Sequence, residues 1–176
     1  MSILVHTCCA PCGSYVFKRL REDRQRFKAF YYNPNIHPFD EYQRRRATLE
    51  RYARDVGIQV TWEPYSAREY WQAIGQLRTK PDRCAQCYRL RLIRTAQRAR
   101  AEDCEAFTTT LLISPYQDHE RLKAVAEEVA TDTGVRFHYD DYRVGYRESR
   151  EMAREAGLYR QKYCGCVLSA AEGGRG

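Results

Sequence analysis

Seven of the eight cysteines in this 176-residue sequence fall into three tight groups far apart along the chain: Cys8, Cys9 and Cys12 in HTCCAPC, Cys84 and Cys87 in RCAQCY, and Cys164 and Cys166 in YCGC. Thiolates are soft metal ligands and reductants, so groups gathered by the fold would make a site for metal or redox chemistry. Cys104 stands alone and reads as a small apolar residue at a helix end. Two ligands from each of the first two groups make a four-thiolate site, which suits zinc or an iron–sulfur cluster; spacing alone does not separate the two. A structural zinc site usually draws on two knuckles with spaced ligands. Here one half is the adjacent pair Cys8-Cys9, which reaches different irons of a cluster more easily than one tetrahedral ion, and this favours iron–sulfur. The pair Cys164-Gly165-Cys166 differs in kind, because a disulfide across one residue closes a strained, readily reduced ring. Either it stores two electrons or, with Cys12, it holds a second metal.

The elements that must position these groups follow from the apolar pattern. Short apolar runs alternate with helical periodicities, which predicts a single α/β domain over 1–169 with a mainly parallel, Rossmann-like sheet, and a flexible tail over 170–176. Strands are predicted at Ile3 to Val5, Phe27 to Tyr32, Ile58 to Trp62, Ala106 to Leu112 and Val135 to Tyr139. Helices are predicted near 11–22, 40–56, 66–77, 84–101 and 146–156, with another opened by Ser114-Pro115-Tyr116-Gln117 as cap, first-turn proline and capping-box glutamine. Cys8 and Cys9 directly follow the first strand, and in open parallel sheets ligands bind beyond the carboxyl ends of the strands. Cys84 and Cys87, three apart at a helix start, point the same way, where the helix dipole favours thiolate.

Lys plus Arg number 30 against 23 Asp plus Glu, a net charge of +7 that suits a polyanionic partner. Nearly all of it is arginine, recurring in Arg44-Arg45-Arg46 and in RLRLIR from Arg89 to Arg94; arginine forks onto phosphates and stacks on bases, although such clusters also serve as salt-bridged helix surface. The opening MSILVHTCC lacks the basic start and long apolar stretch of a secretory signal, and no run approaches a membrane span. The cytoplasm, where thiols stay reduced, is the expected compartment.

HTCCAPCGSYV at 6–16, YYNPNIHPFDEYQRR at 31–45, RCAQCYRLRL at 83–92, FTTTLLISPYQDHE at 107–120 and GLYRQKYCGCVLS at 157–169 together resemble the QueH-type epoxyqueuosine reductases. The resemblance implies reduction of the epoxide of epoxyqueuosine in tRNA to the alkene of queuosine, without cobalamin. It implies a 4Fe–4S cluster on Cys8, Cys9, Cys84 and Cys87, with a second mononuclear iron or a redox-active pair at Cys164 and Cys166. Some members carry an aspartate at the position of Cys12, which leaves the role of Cys12 open. An external low-potential donor would supply electrons.

Loss of the epoxide oxygen as water consumes two electrons and two protons, and Asp141, His37 and Tyr116 are the candidate proton sources. Asn33, Asn35, Tyr116 and Gln117 lie where they could contact the modified base, although a helix cap explains Gln117 equally well. His6 either tunes the cluster or is a satisfied histidine at a strand end. The helices at 41–54 and 89–100, Arg91 and Arg94 among their residues, are the candidates for the tRNA backbone. Two other classes compete: a zinc-stabilised RNA-binding module, which leaves CGC unexplained, and a thiol-dependent tRNA sulfur transferase, whose Gly/Ser-rich phosphate loop is replaced here by CCAPCGS.

Overall fold

The run Ile3-Leu4-Val5 is fully buried within β1 (Ser2–His6), as a strand covered on both faces must be. In this computed structural model, which describes residues 1–173, β1 is the middle of five parallel strands. They are β2 (Arg26–Tyr31), β3 (Val60–Trp62), β4 (Ala106–Thr109) and β5 (Arg136–Phe137), in the order β3-β2-β1-β4-β5. The chain builds outward from β1 to β3, then returns across the sheet to β4. Strand order therefore reverses between β1 and β4, which pair from Ile3 with Ala106 to His6 with Thr109.

Right-handed crossovers fix which face each helix covers. On one face, α1 (Ala10–Glu22) packs against α2 (Phe39–Val56) and α6 (Tyr146–Glu155). On the other, α4 (Asp82–Ala101) packs against α3 (Ala67–Ile74), α5 (His119–Thr133), β1 and β4. Gly57, at φ 67, ends α2 in the left-handed conformation a C-terminal cap requires. Phe17, Phe30, Phe107, Leu92 and Leu122 fill the space around β1. Truncating any one of them to alanine would cost about 2–5 kcal/mol. No helix among the described residues is long and apolar enough to cross a membrane.

β3, β5 and α3 are shorter than expected, and two further departures lie beside the cysteines. Leu111 and Leu112 do not extend β4: the Thr109 hydroxyl accepts from the Leu111 amide and turns Thr110–Ile113 into a 3₁₀ turn at the strand's carboxyl end. α5 begins at His119 rather than at Ser114, because Asp118 is the residue whose side chain caps it, accepting from the Arg121 amide. Pro115, Tyr116 and Gln117 are thereby left in a turn above the sheet edge. The tail expected to be flexible from Ala170 is held further than that: Ala170 and Ala171 lie in α7 (Val167–Ala171), and both Glu172 oxygens meet the Arg83 guanidinium. Residues 174–176 lie outside the described residues.

Candidate metal and redox centre

Cys8, Cys9 and Cys12 gather where β1 gives way to α1, with their sulfurs all within 4.8 Å of one another. Cys9 is the N-cap of α1 and Cys12 lies three residues on, a spacing that stacks two side chains at a helix start. Thr110, on the turn after β4, seats Cys8: its hydroxyl accepts from the Cys8 amide at 3.2 Å and lies 3.3 Å from the sulfur. The Cys12 and Cys9 thiols hydrogen-bond to Cys8 and hold it well below the ordinary thiol range. Burial pushes Cys9 up, and its bonding to Cys8 does the same to Cys12. Thiols bind metal as thiolates, so a cation bound here would displace the protons the three still carry. Gln161, from the far end of the chain, donates its amide to Cys9 Sγ at 2.9 Å.

The other four thiols form a neighbouring group. Cys84 and Cys87, one turn apart on α4, line a cavity of about 410 Å³ together with Cys164 and Cys166. The first pair sits at the start of α4. Burial dominates and raises both, Cys87 to about 12, and it raises Cys164 as well. All eight cysteines are free thiols. Cys164 also lines a second cavity, of about 740 Å³, that opens onto Cys8 and Cys12. The set Cys8, Cys9, Cys84 and Cys87 implied by the resemblance draws on both of two adjoining groups, Cys12 joining the first and Cys164 lining both cavities.

Three arginines, each only 1% exposed, hold this arrangement. Arg45 pairs with Glu41 at 2.7 Å and donates to the carbonyls of Tyr163 and Cys164, and Tyr159 closes the network by donating to Glu41. Arg83 anchors α7 through Glu172 and donates to the Arg78 carbonyl. Arg91 is different: it donates to the Cys87 carbonyl at 3.1 Å and has no carboxylate within salt-bridge distance among the described residues. A guanidinium stays charged even when buried, and the groups that favour its charge here are Cys87, Cys164 and Cys8. A buried cation whose only counter-charges are thiolates is a complement to an anionic, thiolate-bound group. Gly165 sits at φ 155, where a Cβ would come within 2.9 Å of the Asn35 amide nitrogen, and its carbonyl accepts from the His37 amide.

A family model described as epoxyqueuosine reductase QueH matches residues 3–172. The chain belongs to the QueH family. It is 40% identical to the epoxyqueuosine reductase QueH of Dehalococcoides mccartyi over 97% of this chain and 93% of that protein. It is 34% identical to that of Thermotoga maritima, over 97% and 91%. A crystal structure described as a predicted subunit of a tRNA methyltransferase from Methanocaldococcus jannaschii superposes with a TM-score of 0.61, over 88% of this chain and 75% of that one. At 12% identity, that likeness concerns the fold alone.

Against this QueH-family frame the other expected residues separate by position. Asn35, Tyr116 and Gln117 line the cavities; Asn35 has a buried oxygen without a partner, and Gln117 accepts from Tyr88 and stands 3.5 Å from Cys164 Sγ. The cap explanation for Gln117 fails, since Asp118 caps α5. Asn33 is structural: it donates to the Thr7 carbonyl and faces His6. His6 is satisfied by Thr109 at 2.9 Å and the Tyr32 carbonyl at 3.2 Å, so Nε2 carries its proton, and burial lowers it to about 4.

His37 and Asp141 line neither cavity. The His37 ring stacks on Trp71, and burial lowers its pKa by disfavouring the charged imidazolium. Asp141 is forked by Arg143, which holds it near 2, and caps the turn Tyr142–Gly145. Arg94 pairs with Glu69 and lies over the Tyr32 ring, and Arg91 faces inward, so neither sits on the outside of α4 as a free phosphate clamp. Sequence reasoning missed Arg45, read as one of three surface arginines, and Gln161, whose only signal was its place in the terminal segment that ends in CGC.

Proposed function

We propose that the chain is an oxidoreductase that removes the epoxide oxygen of epoxyqueuosine in tRNA to give queuosine. The reaction breaks both epoxide C–O bonds, forms the alkene, and consumes two electrons and two protons with release of water. The observation that supports this most is the meeting of seven thiols from three distant segments at the point where strand order reverses, in a member of the QueH family. The donor set fits a thiolate-bound metal group: three sulfurs lie within 4.8 Å of one another, four more line the adjoining cavity, and the buried Arg91 has no carboxylate partner among the described residues.

Cys8, Cys9, Cys84 and Cys87 would hold a 4Fe–4S cluster, with Cys12, Cys164 and Cys166 left for a second iron or a dithiol. Bound there, such a group supplies low-potential single electrons, and an adjacent iron supplies a Lewis acid. The protein's own contributions follow from its residues. Arg91 complements negative charge on the thiolates, and the Gln161 and Gln117 amides donate to Cys9 and Cys164. Arg45 fixes the backbone of the CGC turn, so that Cys164 stays between the two cavities. Of the three candidate proton sources, Tyr116 is the one on the cavity walls, and its hydroxyl is the donor we favour. Electrons come from an external low-potential reductant.

Incubation of anaerobic, metal-loaded protein with epoxyqueuosine-containing tRNA and dithionite, followed by nucleoside analysis, tests the reading. Queuosine should accumulate. Its absence with fully loaded protein would refute the proposal. Tyr116→Phe keeps the ring and removes the proton, and should slow the reaction by about 10²-fold or more.

A further inference from the structure

The larger cavity carries a charge pattern that neither the thiol chemistry nor the fold requires. Its floor is Cys8, Cys12 and Cys164, and its rim is Arg150, Arg160 and Lys162, all exposed. Among the described residues, none of these three cations has a carboxylate within 4.0 Å or any side-chain hydrogen bond. Their neighbours do pair: Arg147 with Glu151, and Glu148 with Lys18. The arginine-rich face of α4 is likewise neutralised within the protein, Arg89 by Glu128 and Asp132, and Arg98 by Glu63 and Glu102. Other exposed cations among the described residues also lack a carboxylate partner, Arg24, Arg68, Arg100 and Arg154 among them, but Arg150, Arg160 and Lys162 are three that line one cavity, the one that reaches Cys8, Cys12 and Cys164.

Two further features of the same cavity point to a ligand. Gln161, between Arg160 and Lys162, spends its amide nitrogen on Cys9 and leaves a buried carbonyl oxygen without a partner. Tyr116, 52% exposed, stands edge-on to Tyr146 at 6.0 Å, so an aromatic wall rises beside the rim. Unpaired cations, an aromatic wall and a lone acceptor are what a base flanked by phosphodiesters needs. The phosphates take the cations, the base packs on the rings, and a base N–H or ribose hydroxyl can donate to the acceptor.

We propose that Arg150, Arg160 and Lys162 form the phosphodiester clamp that seats an RNA loop over this cavity, with the target nucleotide turned in past Tyr116 towards Cys164. The proposal rests on the reductase reading for the identity of that nucleotide, but the clamp itself recognises backbone charge. Arg89 and Arg98 of α4, already paired, contribute little.

The test compares metal-loaded wild type with Arg150→Gln/Arg160→Gln/Lys162→Gln and with a control, Arg89→Gln/Arg98→Gln. Binding of an unmodified anticodon stem-loop is measured as a function of KCl, together with reduction of free epoxyqueuosine nucleoside, which has no flanking phosphates. The rim variant should bind the stem-loop at least about tenfold more weakly at low salt, and its log–log salt slope should fall by about 2, as expected for three lost single-strand phosphate contacts. Its turnover of the free nucleoside should match wild type, which also reports that it is folded and loaded. The control should bind within about twofold of wild type. Unchanged binding by the rim variant, or an equal loss in the control, overturns the clamp. A wild type that binds through the rim yet never forms the alkene refutes the reductase reading and leaves the clamp standing; reduction of the nucleoside with salt-independent RNA binding does the reverse.

Discussion

The Arg45 guanidinium donates to the Cys164 carbonyl at 2.8 Å across 119 positions of sequence, while its Nε holds Glu41 at 2.7 Å. Helix α2 and the CGC turn are thereby locked together by one buried side chain. The Arg45–Glu41 pair is almost wholly out of water, so removing one partner strands the other. Arg45→Met should cost about 3–5 kcal/mol of unfolding free energy in anaerobic urea titration. Arg45→Met combined with Glu41→Leu should lose clearly less than the two single changes summed. Strict additivity would mean that the pair is not coupled.

Arg91→Met should make the metal-loaded protein harder to reduce, moving its midpoint potential negative by on the order of tens of millivolts, because a buried positive charge favours the added electron. Arg91→Lys, which keeps the charge, should recover most of that shift. Equal potentials in wild type and Arg91→Met would show that this cation is not coupled to the bound group.

Asp141→Asn should leave epoxide reduction within about twofold of wild type and cost no more than about 1 kcal/mol, the usual worth of a side-chain cap. The carboxylate caps Tyr142–Gly145 and pairs with Arg143, away from both cavities. Loss of turnover with unchanged stability would restore it as a proton source.

Stability should decline on the acid side in two stages. Burial lowers His37 and His138 in the folded state, so the unfolded chain takes up protons first. That stabilisation is complete above the unfolded histidine value of about 6.5 and is lost as pH falls below it. Burial alone would raise the Glu102 carboxyl, but Arg98, Lys28 and Thr61 hold it low; its contribution is present above about 4.3 and fades as pH falls further. Urea midpoints of metal-free protein from pH 8 to pH 4 check this, and a midpoint that rises on acidification contradicts it.

The strands and most helices were legible because apolar runs and their periodicity are local signals, and the placing of Cys8 and Cys9 followed from the parallel-sheet pattern. What escaped depends on tertiary direction. Arg44, Arg45 and Arg46 are indistinguishable in sequence, yet Arg44 lies over Tyr159, Arg46 over Trp62, and Arg45 alone turns inward. Arg91 sat in a periodic arginine face, and only the fold shows that it turns inward onto the Cys87 carbonyl. Ser114 and Gln117 matched a capping box, but Asp118 won the cap and freed Gln117 for Cys164. Cys12 was the least constrained thiol in sequence, and its grouping with Cys8 and Cys9 follows from the N-terminal geometry of α1.

The most direct test of the account is iron and acid-labile sulfide analysis of protein purified without oxygen. The predicted result is at least about four irons and four sulfides per chain, with broad absorption near ~400 nm, lost when Cys8 or Cys9 is replaced by serine. A colourless protein holding one zinc and no sulfide would contradict it.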